Sequence, residues 1–223
     1  MKKKIYKQYE KKQISQLPRV TFPGRIIVVS TEKEAERAVE YLLSCSLLGL
    51  DTETKPSFKK GRQNVVSLLQ VSTQDTCFLF RLNLTGLTPA LVRLLEDPYV
   101  LKVGLSLGDD VLSLHKRGEF KPGNFVDLQD HMRELGVDDL SLQKLYANIF
   151  SQRISKSQQL SNWEKDILDE KQKLYAATDA WACVMLYQEY LRMKAMGDYV
   201  LIDNTPAEAT ETQDNTLFPQ SES

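Results

Sequence analysis

Apolar and polar positions follow two different periods along this chain, and the change between them predicts an α/β fold. Short β-branched or aliphatic runs predict strands at residues 26–29, 47–51, 65–71, 77–82, 100–103 and 125–128. Apolar residues at helical spacing predict helices that begin near residues 31, 89, 104, 129, 141 and 169. Because the strands at 65–71 and 77–82 are spaced as a hairpin, we expect three consecutive antiparallel strands over 47–82.

The two ends of the chain lack these periods. Residues 1–24 are basic and are interrupted by Pro18 and Pro23, which predicts an extended arm. Residues 201–223 are acidic and poor in apolar side chains, which predicts a disordered tail. One domain over residues 25–200 remains, and a chain of 223 residues that is 42% hydrophobic can bury a single sizeable core.

Charge and cysteine content narrow the function classes. Lys and Arg total 29 against 30 for Asp and Glu, but the bases are concentrated in the N-terminal third, which could steer a nucleic acid. Cys45, Cys77 and Cys183 are widely separated, which argues against a zinc site or a disulfide framework. No apolar run approaches the length of a membrane span, so we expect a soluble, cytoplasmic protein without a membrane partner.

The strand predicted at 47–51 ends in two carboxylates, Asp51 and Glu53, with one residue between them. Alternate residues of a strand share a face, so the two acids project together and repel each other. Mg²⁺ or Mn²⁺ would relieve that repulsion, because both prefer hard oxygen ligands. The alternative interpretation is a strand end with two solvated acids.

A basic loop follows the two acids directly. It spans residues 55–62 and carries Lys55, Lys59, Lys60 and Arg62. We expect these four side chains to contact substrate phosphates. The alternative is a basic loop that only contacts solvent.

Two helices offer further site residues. Tyr175 and Asp179 are four residues apart on the long helix, which places a phenol and a carboxylate on one face. The alternative for Tyr175 is a core aromatic beside a surface acid.

The adjacent acids Asp109 and Asp110 lie in the first turns of another helix, and only one of them can face the site. Asp110 is the better candidate, because it shares its face with Leu114.

Three segments now occur in order: residues 49–58, residues 103–114, and residues 160–163 with 175–179. Together they resemble the DEDDy 3′–5′ exonucleases, the group that includes RNase D and the exonuclease domain of the Werner syndrome helicase. The resemblance covers about residues 26–195. It implies a ribonuclease H-like fold, a mixed sheet flanked by helices, with two divalent cations, Mg²⁺ or Mn²⁺, at the sheet.

The resemblance also implies a role for each site residue. Asp51 would bridge both cations, Glu53 and Asp179 would complete the first site, and Asp110 would support the second through water. Tyr175 would orient the attacking water. RNase D-like members often carry His where this chain has Leu105, a departure that favours the Werner-like branch.

The function implied is metal-dependent removal of nucleoside 5′-monophosphates from single-stranded or frayed DNA or RNA 3′ ends. One rival is a catalytically weak nucleic-acid-binding adaptor of the same fold, against which the complete set of acids and Tyr175 argues. Another is a ribonuclease H-like enzyme that cuts inside strands, against which the pairing of Tyr175 with Asp179 argues.

Overall fold

A mixed β-sheet lies at the centre of the computed structural model, which describes residues 2–57, 61 and 64–204. The strands are β1 Lys3–Tyr6, β2 Arg25–Val29, β3 Leu47–Thr54, β4 Val66–Ser72, β5 Thr76–Phe80, β6 Leu101–Gly104, β7 Phe125–Asp127 and β8 Tyr199–Ile202. The helices are α1 Lys11–Ile14, α2 Glu32–Leu42, α3 Leu82–Thr85, α4 Pro89–Glu96, α5 Leu107–His115, α6 Leu128–Glu134, α7 Leu142–Phe150 and α8 Glu170–Met196. The predicted α/β class is confirmed.

The strand order is β2-β5-β4-β3-β6-β7, so β3 lies inside the six-stranded sheet. The predicted hairpin is present, and β3, β4 and β5 form an antiparallel unit. The β2–β5, β3–β6 and β6–β7 pairs are parallel, which makes the sheet mixed. Strand β3 runs on to Thr54, so Asp51 and Glu53 are part of the sheet and do not follow its end.

Helices cover both faces of the sheet. One face packs against α2, α4 and α5, and this layer contains Leu48 and Leu50 of β3. The other face packs against α6, α7 and α8. Helix α2 starts with a capping box between Thr31 and Glu34. In the part of the chain that the structure describes, no helix is both long and apolar enough to cross a membrane.

Residues 2–24, which the sequence predicts as an extended arm, pack against the domain. Strand β1 pairs in parallel with β8 from the other end of the chain. Ile5 and Phe22 are buried in the core layer around α8. The Asn148 side chain accepts a hydrogen bond from the Tyr6 N–H and donates one to the Tyr6 carbonyl. The folded domain therefore includes both β1 and β8, whereas most of the predicted acidic tail, residues 205–223, lies outside the described residues.

Candidate active site

The close crossing of α8 over β3 brings the site together. Gly49 of β3 faces α8, and a Cβ atom at that position would lie 2.0 Å from the carbonyl oxygen of Ala180. No larger residue fits at position 49, because the obstructing atom belongs to the backbone of a buried helix. Ala177 and Ala180 are themselves fully buried in this contact. The crossing places Asp179 of α8 beside the acids of β3.

Three carboxylates meet at this crossing, and we call them the acidic cluster: Asp51, Glu53 and Asp179. Each offers an oxygen, and these oxygens lie within 4.8 Å of one another. Glu53 and Asp179 are buried, and Asp51 is partly buried. Two of the acids come from alternate positions of one strand and the third from a helix far along the chain, as the sequence analysis expects.

Asp110 reaches the same region from the opposite layer of the sheet. The Thr52 hydroxyl donates a hydrogen bond of 2.5 Å to the Asp110 carboxylate. The start of α5 is held by Asp127, which accepts from the backbone N–H groups of Ser106 and Leu107. Asp110 is half-buried, whereas the adjacent Asp109 is exposed. Asp110 lies outside the acidic cluster, but its charge raises the pKa of both Asp51 and Glu53.

Burial raises the pKa of all four acids, and repulsion by the neighbouring carboxylates adds to the shift of Asp51 and Glu53. The effect raises the pKa of Glu53 to about 9, that of Asp179 to about 7 and that of Asp110 to about 6. Burial is the main cause for Asp51 as well, and its pKa rises well above the usual value with the charges of Asp179, Asp110 and Glu53 adding to the shift. These carboxylates are therefore costly to ionise together unless a cation is present. A closely spaced set of hard oxygen donors fits Mg²⁺ or Mn²⁺.

Tyr175 stands one helical turn before Asp179. Burial is the main cause that raises the pKa of Tyr175, and the charges of Asp179 and Glu53 and a hydrogen bond to Asp179 add to it. Burial also raises the pKa of Asp179, which the same hydrogen bond lowers. The Tyr175 phenol therefore remains protonated at neutral pH. The Trp163 ring packs against the Tyr175 ring at 6.0 Å between centroids. Gln172 holds the two residues that precede Trp163, because its side-chain amide donates to the Ser161 hydroxyl and the Asn162 carbonyl.

A cavity of about 300 Å³ opens onto these groups. Its floor contains the acidic cluster, Thr52 and Tyr175, and its walls come from α7 and from the loop between α7 and α8. The residues from α7, its N-cap and the loop are Ser141, Leu142, Gln143, Ile154, Ser155, Lys156 and Gln159, and Leu105 and Cys183 complete the lining. The contribution of this loop to the cavity was not predicted from the sequence. Its only sequence signal is a polar, Ser-rich stretch after α7.

The basic loop is only partly described. Lys55 forms a salt bridge with Glu164, with 3.0 Å between the ammonium nitrogen and a carboxylate oxygen. Lys55 does not line the cavity. Lys59, Lys60 and Arg62 lie outside the described residues, so their predicted contacts with substrate phosphates stay a prediction.

Comparison with known families identifies the protein family. Residues 26–194 match the family model described as 3′-5′ exonuclease. The chain belongs to the 3′–5′ exonuclease family. The match includes all the carboxylates of the site and Tyr175, and it confirms the resemblance found in the sequence.

Named relatives support the same assignment. The chain is 30% identical over 183 residues to the mouse bifunctional 3′-5′ exonuclease/ATP-dependent helicase WRN, covering 78% of this chain and 13% of that protein. It is 30% identical over 188 residues to an Arabidopsis thaliana 3′-5′ exonuclease, covering 77% of this chain and 65% of that protein. The chain therefore spans less than two thirds of either relative.

Solved structures of low identity share the fold. The Aedes aegypti Nibbler EXO domain matches with a TM-score of 0.73 at 22% identity, covering 81% of this chain and 94% of that one. Trypanosoma brucei RNase D, solved in a complex with RNA U12, matches with a TM-score of 0.64 at 22% identity, covering 83% and 76%. The predicted ribonuclease H-like architecture is confirmed.

Proposed function

We propose that this exonuclease domain removes nucleoside 5′-monophosphates one at a time from the 3′ ends of single-stranded or frayed nucleic acid. The observation that carries the proposal is the acidic cluster on the floor of the cavity, with the Tyr175 phenol beside it. The fold neighbour solved with RNA U12 supports a nucleic-acid substrate.

The acidic cluster is suited to hold divalent cations. Asp51, Glu53 and Asp179 would provide the closest ligands, and Asp110 would act from the side of α5 through its position next to Thr52. Two such cations, when bound, would stabilise the attacking and leaving oxygens of an in-line phosphoryl displacement. The raised pKa values of these acids are consistent with a cation site, because a bound cation would return each group to its ionised form.

Tyr175 has a different task from the acids. Its pKa is raised, so it keeps its proton and acts as a hydrogen-bond donor or as an orienting group for water. Asp179 and Trp163 fix the position of its ring. A phenol held in this way would orient the water that attacks the phosphorus atom. The catalytically weak adaptor is not favoured, because every acid of the site and Tyr175 are present together.

A labelled-end assay tests the proposal. DNA and RNA oligonucleotides that carry a label at either the 5′ or the 3′ end are incubated with the protein in Mg²⁺, Mn²⁺ or EDTA, and the products are separated by length. We expect a ladder that shortens by single nucleotides in Mg²⁺ or Mn²⁺, release of the label as a mononucleotide from 3′-labelled substrate, and no products in EDTA. Fragments cut inside the strand, or equal activity from Asp51→Asn purified in parallel, would contradict the proposal.

A further inference from the structure

Lys156 brings a positive charge to the mouth of the acidic cavity. It lies in the loop between α7 and α8 and lines the same cavity as Asp51, Glu53, Tyr175 and Asp179. Among the described residues that line this cavity, no other side chain is a Lys or an Arg. Its ammonium is close enough to Asp179 to lower the pKa of that carboxyl.

The Lys156 side chain is available for a ligand. The salt bridges found within residues 2–57, 61 and 64–204 do not include it, and its side chain is exposed. Lys55, by contrast, is paired with Glu164 and lies outside the cavity. Of the two lysines, Lys156 is the one that can meet an anion beside the carboxylates.

The backbone that carries Lys156 is held from two sides. The Arg153 N–H donates to the Pro18 carbonyl over 2.9 Å, and the Val20 N–H donates to the Arg153 carbonyl over 3.0 Å. From the other side, the Gln143 amide of α7 donates to the Ile154 carbonyl over 2.8 Å. Pro18 and Val20 precede the region that the family model matches, residues 26–194. The N-terminal segment therefore fixes the loop of this chain at the cavity wall.

Electrostatics indicates what Lys156 would bind. A phosphodiester that enters the cavity approaches several carboxylates, and each of them repels it. A lysine ammonium is a compact point charge that commonly binds phosphate, and its flexible stem lets it follow a moving group. We propose that Lys156 binds the terminal phosphodiester of the substrate, the one that lies next to the acidic cluster. This inference rests on the proposed function, because it takes the substrate to be a nucleic-acid 3′ end.

Steady-state kinetics in Mg²⁺ provide the first test. We expect Lys156→Gln to raise KM by about 10- to 100-fold, the usual effect of losing a hydrogen bond to a charged group, with a smaller change in kcat. Lys156→Arg should restore most of the affinity. Lys171→Gln is the matched control, because Lys171 is an exposed lysine on α8 outside the cavity lining, and it should leave KM unchanged.

Binding in EDTA separates this inference from the proposed function, because it needs no hydrolysis. Fluorescence anisotropy compares a natural oligonucleotide with one whose 3′-terminal phosphodiester is a neutral methylphosphonate. We expect Lys156→Gln to weaken binding of the natural oligonucleotide by about 10-fold or more and to leave binding of the methylphosphonate unchanged. Equal losses for both oligonucleotides, or no loss in affinity or KM, would overturn the role of Lys156. Binding of the expected pattern without any hydrolysis by the wild type would instead contradict the proposed function.

Discussion

The two faces of strand β3 are built from alternate residues of one short sequence, and they differ sharply. Leu48 and Leu50 point into the layer of α2, α4 and α5 and are almost completely buried. Asp51 and Glu53 lie on the α8 side, where their carboxylates meet Asp179. Burial of apolar surface on the first face stabilises the fold, whereas the second face holds acidic groups close together.

The apolar face explains how the domain tolerates a cluster of buried acids. The apolar face anchors β3 through buried leucines, so the strand stays in place although its other face is strained by repulsion. The α8 crossing at Gly49 then fixes Asp179 against that face. Stability and function can therefore be altered independently, by substitutions at neighbouring positions of the same strand.

The largest expected effect comes from exchanging Asp51. Asp51→Asn removes a carboxylate that would hold the cation, so kcat/KM should fall by more than about 10³-fold, since cation stabilisation supplies several kcal/mol. The free energy of unfolding in EDTA should stay the same or rise, because the folded protein no longer buries an acid whose pKa it raises. Exonuclease assays and urea unfolding of the same preparations measure both quantities.

Leu50→Ala is the matched variant on the opposite face. It should lower the free energy of unfolding by about 2–5 kcal/mol, the usual cost of such a cavity. The kcat of the molecules that remain folded should be close to that of the wild type. A folded Leu50→Ala variant with the same loss of kcat as Asp51→Asn would show that the two faces are not separable.

Tyr175→Phe tests the phenol next to the acidic cluster. Turnover should fall by roughly 10²-fold, the size of a typical proton-transfer or positioning contribution, while affinity for Mn²⁺ is retained. Tyr187→Phe removes a hydroxyl from the same helix outside the cavity and serves as the control. Unchanged turnover in Tyr175→Phe would assign Tyr175 to packing against Trp163.

Asp110 and Asp109 test the contribution from the opposite layer. Asp110→Asn should lower kcat/KM by about 10- to 100-fold, as for a group that supports a metal site through neighbours. Asp109→Asn should have little effect, because Asp109 is exposed and Asp110 is the acid that accepts from Thr52. Assays of both variants in Mg²⁺ decide between them, and the reverse order of effects would exchange their roles.

The smallest expected effect is the pH dependence of stability without metal. Glu53 has a pKa of about 9 in the folded protein against an ordinary value of 4.5, so the unfolded chain releases the proton first as pH rises. The free energy of unfolding in EDTA should therefore fall from about pH 5 to about pH 8. Glu53→Gln should reduce that fall by about 1–3 kcal/mol. Urea unfolding at both pH values provides the comparison, and parallel pH slopes for the two proteins would contradict it.

Local signals made much of the fold predictable from the sequence. The capping box of Thr31 and Glu34, the hairpin of β4 and β5 and the start of α8 at Asp169 each depend on residues close in sequence. The packing of the N-terminal segment was harder to predict, because Ile5 and Phe22 are isolated apolar residues that follow neither helical nor strand spacing. Their burial depends on β8 and α8, which come from the distant end of the chain.

The site likewise has parts that local spacing predicts and parts that only tertiary structure brings together. The spacing of Asp51 with Glu53, and of Tyr175 with Asp179, places each pair on one face before any tertiary structure is known. The meeting of the two pairs depends on the crossing of α8 at Gly49. Lys156 was missed because its loop has no period, and its position depends on backbone hydrogen bonds to residues near Pro18.

Titration of Mn²⁺ into the metal-free protein shows whether the polar face of β3 is a metal site. Electron paramagnetic resonance reports free Mn²⁺ as it is added to wild type, Asp51→Asn and Leu50→Ala, each first confirmed to be folded. We predict that wild type and Leu50→Ala bind Mn²⁺ with similar affinity and that Asp51→Asn binds at least about 10-fold more weakly. Equal Mn²⁺ affinity in wild type and Asp51→Asn would show that this face of β3 does not hold the cation.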